Sequence, residues 1–187
     1  MFPKPPCCGN GSTPAKFRRL TTPRGGKRGI RVTAGCVLPL ADYLLDTSFL
    51  IDYFNEVADG RVGPARRFRA TLPGASRLCA SIVSLAELIE GAGDATAVER
   101  ELLRLARVVG LHHHHGTRAG LMQQRARTRG TRMGENDAWI AATAALAQLT
   151  IIGDDDRAFA NRPSVDYVNF RAALVQRGSP TGQPVTR

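Results

Sequence analysis

The chain has 187 residues, enough for one domain of ordinary size with a short appendage. Its net charge of +10 is uneven, because residues 1–41 hold eight Lys or Arg and no acid, whereas residues 42–187 hold 18 Arg and 16 acids. The body is therefore nearly neutral. Its only cysteine is Cys79, which excludes a disulfide-rich domain, and it has no long apolar run, which excludes a membrane-spanning protein. We therefore expect a cytoplasmic protein.

Residues 1–41 differ in composition from the rest of the chain. They are rich in Pro, Gly and basic residues and show no apolar period of 2 or 3.6, so we expect a disordered extension. A basic arm that binds nucleic acid is one interpretation. A flexible tail, or translated sequence upstream of the true start, is the interpretation we favour. Residues 176–187 are predicted to form a second flexible tail.

From residue 42 onward, short apolar runs alternate with helical periodicity. The run YLLD (43–46) predicts a strand that is followed by a helix starting at Thr47 or Ser48, and RLCAS (77–81) predicts a second strand. VSLAELIEGA then reads as a helix, 95–107 as another helix, and RVVGL as a short strand or connector. This alternation indicates βαβ units.

The second half of the body continues the pattern. A helix is predicted from about 117 to 129, preceded by four adjacent histidines (112–115) that we interpret as an exposed loop, because they cannot all face one metal ion. ENDAWIAATAALAQL predicts the clearest helix, TIIG the next strand and VDYVNF the last. We expect an α/β/α sandwich around a central, mostly parallel sheet, with the domain spanning 42–175.

Acidic residues fall where strands of this sheet end or helices begin. Asp46 ends the first strand, Glu87 follows the second, Asp137 begins the clearest helix, and Asp154, Asp155 and Asp156 follow TII. Ligands of an open parallel sheet bind outside the carboxyl ends of its strands. Four separate connections therefore deliver carboxylates to one edge.

Each acid also has a purely structural interpretation. Asp46 and Asp137 could cap helices, Ser84 and Glu87 match a capping box, and the triple Asp could form a solvated turn. Taken together, these interpretations require four caps at one end of one sheet. Clustered carboxylates without His or Cys instead favour Mg²⁺ or Mn²⁺, and with one or two ions bound such a site can activate a water for displacement at phosphorus.

The sequence resembles the PIN-domain family of nucleases, and within it the VapC-type toxin ribonucleases of VapBC toxin–antitoxin pairs. Four segments carry the resemblance: LLDTSFLID, ASIVSLAELIEGA, ENDAWIAATA and LTIIGDDDRAF. It covers roughly residues 43–170. In the fourth segment Gly153 stands where the family usually has Thr, which aligns Asp155 with the family's acid, whereas a shift of one residue would favour Asp156.

The resemblance implies which residues act and on what. Asp46, Glu87 and Asp137 would be the principal metal-binding and catalytic acids, with Asp155 or Asp156 completing the set. It further implies an Mg²⁺- or Mn²⁺-dependent endoribonuclease that forms a homodimer and is inhibited by a cognate VapB-type antitoxin. The alternatives are a PIN nuclease of RNA processing that is not a toxin, and a non-catalytic PIN-like binding module.

An RNA substrate would also need phosphate contacts. The run RARTRGTR places Arg125, Arg127, Arg129 and Arg132 just before the helix of Asp137, where they could hold RNA phosphates, although a solvated helix face is the simpler explanation. Of these, Arg125, Arg129 and Arg132 are the residues we expect to bind substrate. Thr47 and Ser48 lie next to Asp46 and could contact phosphate or metal-bound water, with N-capping as the alternative.

Overall fold

The computed structural model of the chain describes residues 42–178. The predicted extension 1–41 and residues 179–187 of the predicted tail 176–187 lie outside these residues, so these parts stay predictions, whereas residues 176–178 are helical. Among the described residues, no helix combines the length and the apolar character that crossing a membrane requires.

A five-stranded sheet forms the centre of the described domain, in the order β3-β2-β1-β4-β5. All four strand pairings are parallel. The strands are β1 (Tyr43–Leu45), β2 (Leu78–Ser81), β3 (Arg107–Val109), β4 (Thr150–Gly153) and β5 (Asp166–Asn169). Their carboxyl ends therefore share one edge, with β1 at the middle.

Eight helices connect and follow these strands within the described range. They are α1 (Thr47–Ala58), α2 (Pro64–Thr71), α3 (Ile82–Glu90), α4 (Ala95–Leu105), α5 (His113–Thr128), α6 (Glu135–Ala147), α7 (Asp156–Phe159) and α8 (Phe170–Gly178). The helix α6 returns from the carboxyl edge of the sheet to the start of β4. Its first turn is therefore at the edge where the strands end.

The two faces of the sheet are each covered by helices, and the alternation of side chains along the strands assigns the two cores. Leu45 and Ile152 face a core built with α1, α2, α3, α4 and α8. Leu44 and Ile151 face the opposite core, built with α5, α6 and α7. Each of these four side chains is fully buried, as expected of a parallel sheet that is covered on both sides. The predicted α/β/α architecture is confirmed.

The four histidines are placed differently from the prediction. The exposed-loop interpretation is wrong, because α5 begins at His113 and its N-cap is His112. His115 is buried, and its Nδ1 accepts a hydrogen bond of 3.0 Å from the backbone N–H of His112. His115 thus closes a capping box, which is a local interaction that the apolar periodicity does not register.

Three helices were not predicted, and α2 has an unusual cap. Its N-cap residue Gly63 has no side chain, and the carboxylate of Glu56 on α1 takes over that role. Glu56 is 1% exposed and accepts hydrogen bonds from the backbone N–H groups of Ala65 (3.0 Å) and Arg66 (2.8 Å). A β-carbon on Gly63 would lie 2.3 Å from Oε1 of Glu56, so the cap requires glycine there.

Candidate functional site

Asp46 is buried at the point where β1 becomes α1. It is the N-cap of α1 and is 5% exposed, and its Oδ2 accepts hydrogen bonds from the hydroxyl (2.7 Å) and the backbone N–H (3.2 Å) of Ser48. The Ser48 hydroxyl in turn accepts a 3.0 Å hydrogen bond from the N–H of Asp154. The capping interpretation of Asp46 therefore holds, and the same contacts fix its carboxylate between the ends of β1 and β4.

Glu87 does not form the capping box that its spacing from Ser84 suggests. The helix α3 begins at Ile82 with Ser81 as its N-cap, so Ser84 lies inside the helix. The Oε1 atom of Glu87 accepts a 2.7 Å hydrogen bond from Nδ2 of Asn136, and its Oε2 accepts one from the Thr47 hydroxyl. Contacts from two other elements thus orient Glu87 across the carboxyl edge of the sheet.

Asp137 lies in the first turn of α6, where negative charge is favoured by the helix dipole. The N-cap Gly134 makes no side-chain cap, and a β-carbon there would lie 2.5 Å from Oδ2 of Asp137. Burial raises the pKa of the Asp137 carboxyl, and the carboxylates of Asp155 and Glu87 add to the rise, while the Gly134 N–H and Arg162 oppose it. Asp137 therefore lies in the electrostatic field of two other acids, Asp155 and Glu87.

The three consecutive aspartates after β4 point to different partners. Asp155 is the N-cap of α7 and lies in the field of Asp137. Asp154 pairs with Arg171, with 2.7 Å between its Oδ2 and the arginine Nε. Asp156 accepts a 2.9 Å hydrogen bond from Nδ2 of Asn169. Of the three, Asp155 is the one whose charge is coupled to Asp137, while Asp156 is turned toward β5.

Asp156 also affects the ionisation of a neighbouring residue, Tyr167. Burial and the adjacent Asp156 carboxylate raise the pKa of Tyr167 above its ordinary value. Tyr167 and Asn169 both belong to β5, so Asp156 is held by the edge strand. Asp156 is not among the acids that raise the pKa of Asp46 or Asp137.

The predicted acids form one electrostatic group. Burial raises the pKa of the Asp46 carboxyl, hydrogen bonds from Ser48 and the Thr47 N–H oppose the rise, and the Asp137 carboxylate adds to it. Asp137 in turn is coupled to Asp155 and Glu87. Carboxylates this close to one another repel, and a bound cation would remove that repulsion.

The donor set fits a hard divalent cation. Asp46, Glu87, Asp137 and Asp155 offer carboxylate oxygens, which Mg²⁺ and Mn²⁺ prefer over nitrogen and sulfur donors. Between residues 42 and 178, no three such side chains already surround a single point closely enough to enclose an ion. Mg²⁺ commonly binds through one or two carboxylates and keeps several waters, so an open group of acids is compatible with it.

The residues predicted to bind substrate are in two places. The hydroxyls of Thr47 and Ser48 contact Glu87 and Asp46, so both orient acids of the site. Arg125, Arg129 and Arg132 line one cavity beside α5, on the same side of the sheet as α6. A solvated helix face, the alternative interpretation, explains why all three arginines are exposed. It does not explain why they are grouped around one cavity.

Several residues of the site were not found from the sequence. Asn136, which donates a hydrogen bond to Glu87, directly precedes Asp137. This position next to a predicted site residue was the sequence feature that could have indicated its role. Arg171 contacts both Asp52 and Asp154 from α8, and Asn169 holds Asp156. These two residues have no local signal, because each meets its partner only through the order of the strands.

Comparisons with known proteins identify the fold and the family of the chain. The family model of the PIN domain matches residues 43–164. Among curated proteins, none matches the sequence significantly. Solved structures with a similar fold include VapBC2 from Rickettsia felis bound to a DNA fragment from its promoter, at 18% identity and a TM-score of 0.57, covering 68% of this chain and 98% of that chain.

Two further solved structures are similar over the same part of the chain. VapBC-1 from nontypeable Haemophilus influenzae has 23% identity and a TM-score of 0.55, and covers 69% of this chain and 98% of that chain. A toxin–antitoxin complex from Klebsiella pneumoniae has 23% identity and a TM-score of 0.53, and covers 68% and 97%. At these identities the likeness establishes the fold.

Proposed function

The chain belongs to the PIN domain family, and from this premise we propose that it is a metal-dependent endoribonuclease that cleaves phosphodiester bonds of RNA. One observation carries the proposal. The acids Asp46, Glu87, Asp137 and Asp155 come from four separate connections of the fold and lie in one another's electrostatic field at the carboxyl edge of the sheet. Such a concentration of charge is suited to holding Mg²⁺ or Mn²⁺ beside a phosphate.

These residues have distinct roles in the proposed reaction. Asp46, Glu87, Asp137 and Asp155 would hold the cation, and Asp156, whose Oδ1 accepts a hydrogen bond from Asn169, is a further candidate ligand. When bound, the cation supplies a Lewis acid for the phosphoryl oxygens and lowers the pKa of a coordinated water. Ser48 orients the Asp46 carboxylate, and Thr47 and Asn136 orient the Glu87 carboxylate. Fixed orientation of the acids reduces the reorganisation that the reaction requires.

The test is cleavage of RNA by wild type and by Glu87→Gln, with Mg²⁺, with Mn²⁺ and with a chelator. We expect Glu87→Gln to lose at least about 100-fold in activity, because the cation loses a charged ligand. Glu99→Gln is the matched control, since Glu99 is an exposed acid on α4. Equal activity of wild type and Glu87→Gln would overturn the mechanism. A folded wild type that cleaves nothing with either ion would favour the binding module.

We further propose that the protein is a VapC-type toxin, a homodimer that a small VapB-type antitoxin protein inhibits. The support is the similarity of its fold to chains from solved VapBC and other toxin–antitoxin complexes. Expression of the chain should arrest growth, and co-expression of a small protein encoded next to it should relieve the arrest. An active nuclease that does not affect growth would favour the alternative of RNA processing. Light scattering of the purified protein tests the homodimer.

A further inference from the structure

A cavity of about 440 Å³ lies beside the acidic site, between the C-terminal half of α5, the loop before α6 and the loop after α7. Its volume is within the range of small-molecule sites. We call it the arginine pocket, because six arginines line it: Arg118, Arg125, Arg129, Arg132, Arg157 and Arg162. No Asp or Glu is among its lining residues.

Most of these guanidinium groups have no acid to neutralise them. Arg132 pairs with Glu135 at 3.4 Å, and Arg162 donates hydrogen bonds to the backbone oxygens of Ala158 (2.8 Å) and Thr131 (2.7 Å). Within residues 42–178, no carboxylate forms an ion pair with the remaining four, which are Arg118, Arg125, Arg129 and Arg157. Like charges gathered around a cavity repel one another, and an anion in the cavity would remove that repulsion.

Arg118 gives an independent sign that the pocket is incomplete as it stands. Its Nε is buried and, within the described part of the chain, has no hydrogen-bond partner. A buried donor that is left unpaired is unfavourable for the folded state, and native proteins rarely keep one without a reason. An acceptor oxygen of a bound anion would satisfy it once the Arg118 side chain turned this donor toward the cavity.

The floor of the pocket is apolar. Met133 and Ala141 are buried there, and Met122 and Val165 are half-buried, whereas Arg125, Arg129 and Arg157 are exposed at the rim. A bare phosphate ion would leave this floor unused, and so would a peptide segment that offered carboxylates alone. A nucleotide offers both parts, with phosphate oxygens for bidentate arginine and a base for the apolar floor.

The pocket is also physically connected to the acidic site. The loop from Thr131 to Met133 forms one of its walls, and Gly134, the next residue, is the N-cap of the helix that carries Asp137. Nε2 of Gln123 on α5 fastens this loop by donating to the carbonyl oxygens of Met133 (2.8 Å) and Gly134 (3.1 Å). Asp137 is therefore four residues along the chain from this wall, and the charge of Arg162, which lines the pocket, opposes the rise in the pKa of Asp137.

We propose that the arginine pocket receives one nucleotide of the RNA strand next to the scissile phosphate, unstacked so that its base enters the cavity. The guanidinium groups of Arg118, Arg125 and Arg129 hold its phosphate, and Met122 and Val165 contact the base. The identification of the ligand as RNA rests on the proposed nuclease function. The pocket would fix where the strand lies relative to the acids, and with it the position of the cut.

The test is calorimetric binding of the four ribonucleoside 5′-monophosphates, with a chelator present so that binding is measured without metal. The pocket variant is Arg125→Gln with Arg129→Gln, and the matched control is Arg127→Gln, which changes an exposed arginine of the same helix that does not line the cavity. Glutamine keeps the helix propensity, so we expect all proteins to fold. The binding constant of the pocket variant should fall at least about tenfold, and that of the control should change less than about twofold.

Two further probes separate the possible ligands. Adenosine without phosphate and inorganic phosphate alone should each bind at least about tenfold more weakly than adenosine monophosphate. For a short RNA, loss of the contacts to this one phosphate should reduce the slope of log binding constant against log salt by about 0.7. Inorganic phosphate that binds as tightly as the nucleotide would contradict the proposed contacts between the pocket and the base. Equal losses of affinity in Arg127→Gln and in the pocket variant would show that general electrostatic attraction accounts for the binding, and not the pocket.

The same proteins separate this proposal from the proposed function. A wild type that cleaves RNA while nucleotides fail to bind, or bind the pocket variant equally well, contradicts the pocket alone. A wild type that binds nucleotides in the predicted pattern but never cleaves RNA contradicts the nuclease and supports the pocket. An acidic peptide that displaces the nucleotide and binds more tightly would make the pocket a protein-docking site and overturn the proposal.

Discussion

Gly153 and Asp46 face each other at the ends of neighbouring strands. A β-carbon on Gly153 would lie 3.0 Å from the Cβ of Asp46 and 3.1 Å from its Oδ2, closer than packed side chains normally approach. Gly153 itself is buried, so no open space lies beside it to absorb a shift. The absence of a side chain at position 153 therefore leaves the space that the Asp46 carboxylate occupies.

Gly153→Ala should consequently impair the site more than the fold. The added methyl group displaces Asp46 by a few tenths of an ångström, and we expect RNA cleavage to fall by about tenfold, with a loss of about 1 kcal/mol in the free energy of unfolding. Single-turnover cleavage and urea denaturation measure the two effects. Gly110→Ala is the control, because a β-carbon at Gly110 meets nothing within 4 Å. Unchanged cleavage by Gly153→Ala would show that Asp46 tolerates the shift.

Substitution of the three consecutive aspartates by Asn should identify the fourth acid. Asp155→Asn should reduce cleavage at least about tenfold, because Asp155 is the one coupled to Asp137, and Asn still caps α7. Asp154→Asn and Asp156→Asn should have smaller effects, since Arg171 and Asn169 hold those side chains. The rate of cleavage under saturating Mg²⁺ ranks the three variants. A larger loss for Asp156→Asn would transfer the role to Asp156.

Asn136→Ala should impair catalysis without affecting the fold. Asn136 is exposed and its amide holds Oε1 of Glu87 at 2.7 Å, so its loss frees Glu87 to rotate. We expect cleavage to fall by about 10- to 100-fold and the Mg²⁺ concentration for half-maximal activity to rise, as for other groups that orient metal ligands. The exposed Asn55 of α1 provides Asn55→Ala as a control. Wild-type activity in both variants would exclude a positioning role for Asn136.

Asp137→Asn should stabilise the protein when no metal is bound. Burial first, and then Asp155 and Glu87, raise the pKa of Asp137 above its ordinary 3.8. Between 3.8 and the raised value the folded chain keeps a proton that the unfolded chain has released, so the free energy of unfolding falls as pH rises. With solvent screening taken into account, we expect a gain of roughly 0.5 to 1 kcal/mol at pH 7.

Urea denaturation with a chelator, repeated from pH 3 to pH 8, measures this gain. It should vanish at pH 3, where the wild-type carboxyl is protonated in both states. Asp166→Asn, which changes an exposed acid of β5, should alter the stability little at any pH. A variant that is less stable than wild type at pH 7 would mean that the hydrogen bonds of Asp137 outweigh its repulsion.

Glu56 and Gly63 should show strong energetic coupling. Gly63→Ala places a methyl group against the Glu56 carboxylate and should reduce the free energy of unfolding by about 2 kcal/mol or more. Glu56→Ala removes the cap of α2 and a buried acceptor of two hydrogen bonds, at a similar loss. In the double variant the clash is gone, so the losses should not add. Denaturant unfolding of the four proteins measures the coupling, and simple additivity would disprove the contact.

The sequence predicted those parts of the fold that local rules control. The apolar runs of β1 and β4 and the long helix α6 follow from periodicity, and Asp46 and Glu87 follow from their places after strands. The capping box of Ser84 and Glu87 was wrong, because Ser81 takes the cap one turn earlier. Two residues with similar capping propensity competed, and the end of β2 decided between them.

The remaining parts depend on contacts between distant residues. Arg171 meets Asp52 across 119 positions of sequence, and Asn136 meets Glu87 across 49. Helix α2 buries only Ala65 and Phe68, which is too few apolar positions to establish a period. The cap that Glu56 provides comes from a different helix. The contacts of Arg171 and Asn136 are not visible until the order of the strands has been established, and the cap of α2 is not visible until the angle between α1 and α2 is known.

The last helix also determines how the protein can be shortened. The region that the family model matches ends at residue 164, before β5 and α8. A fragment cut there would lack Phe170, which is fully buried against Phe49 and Phe68, and Arg171, which holds Asp154. It would also turn β4 into an edge strand whose open backbone groups invite association with other chains. Recombinant work on this domain therefore has to retain the chain through residue 178.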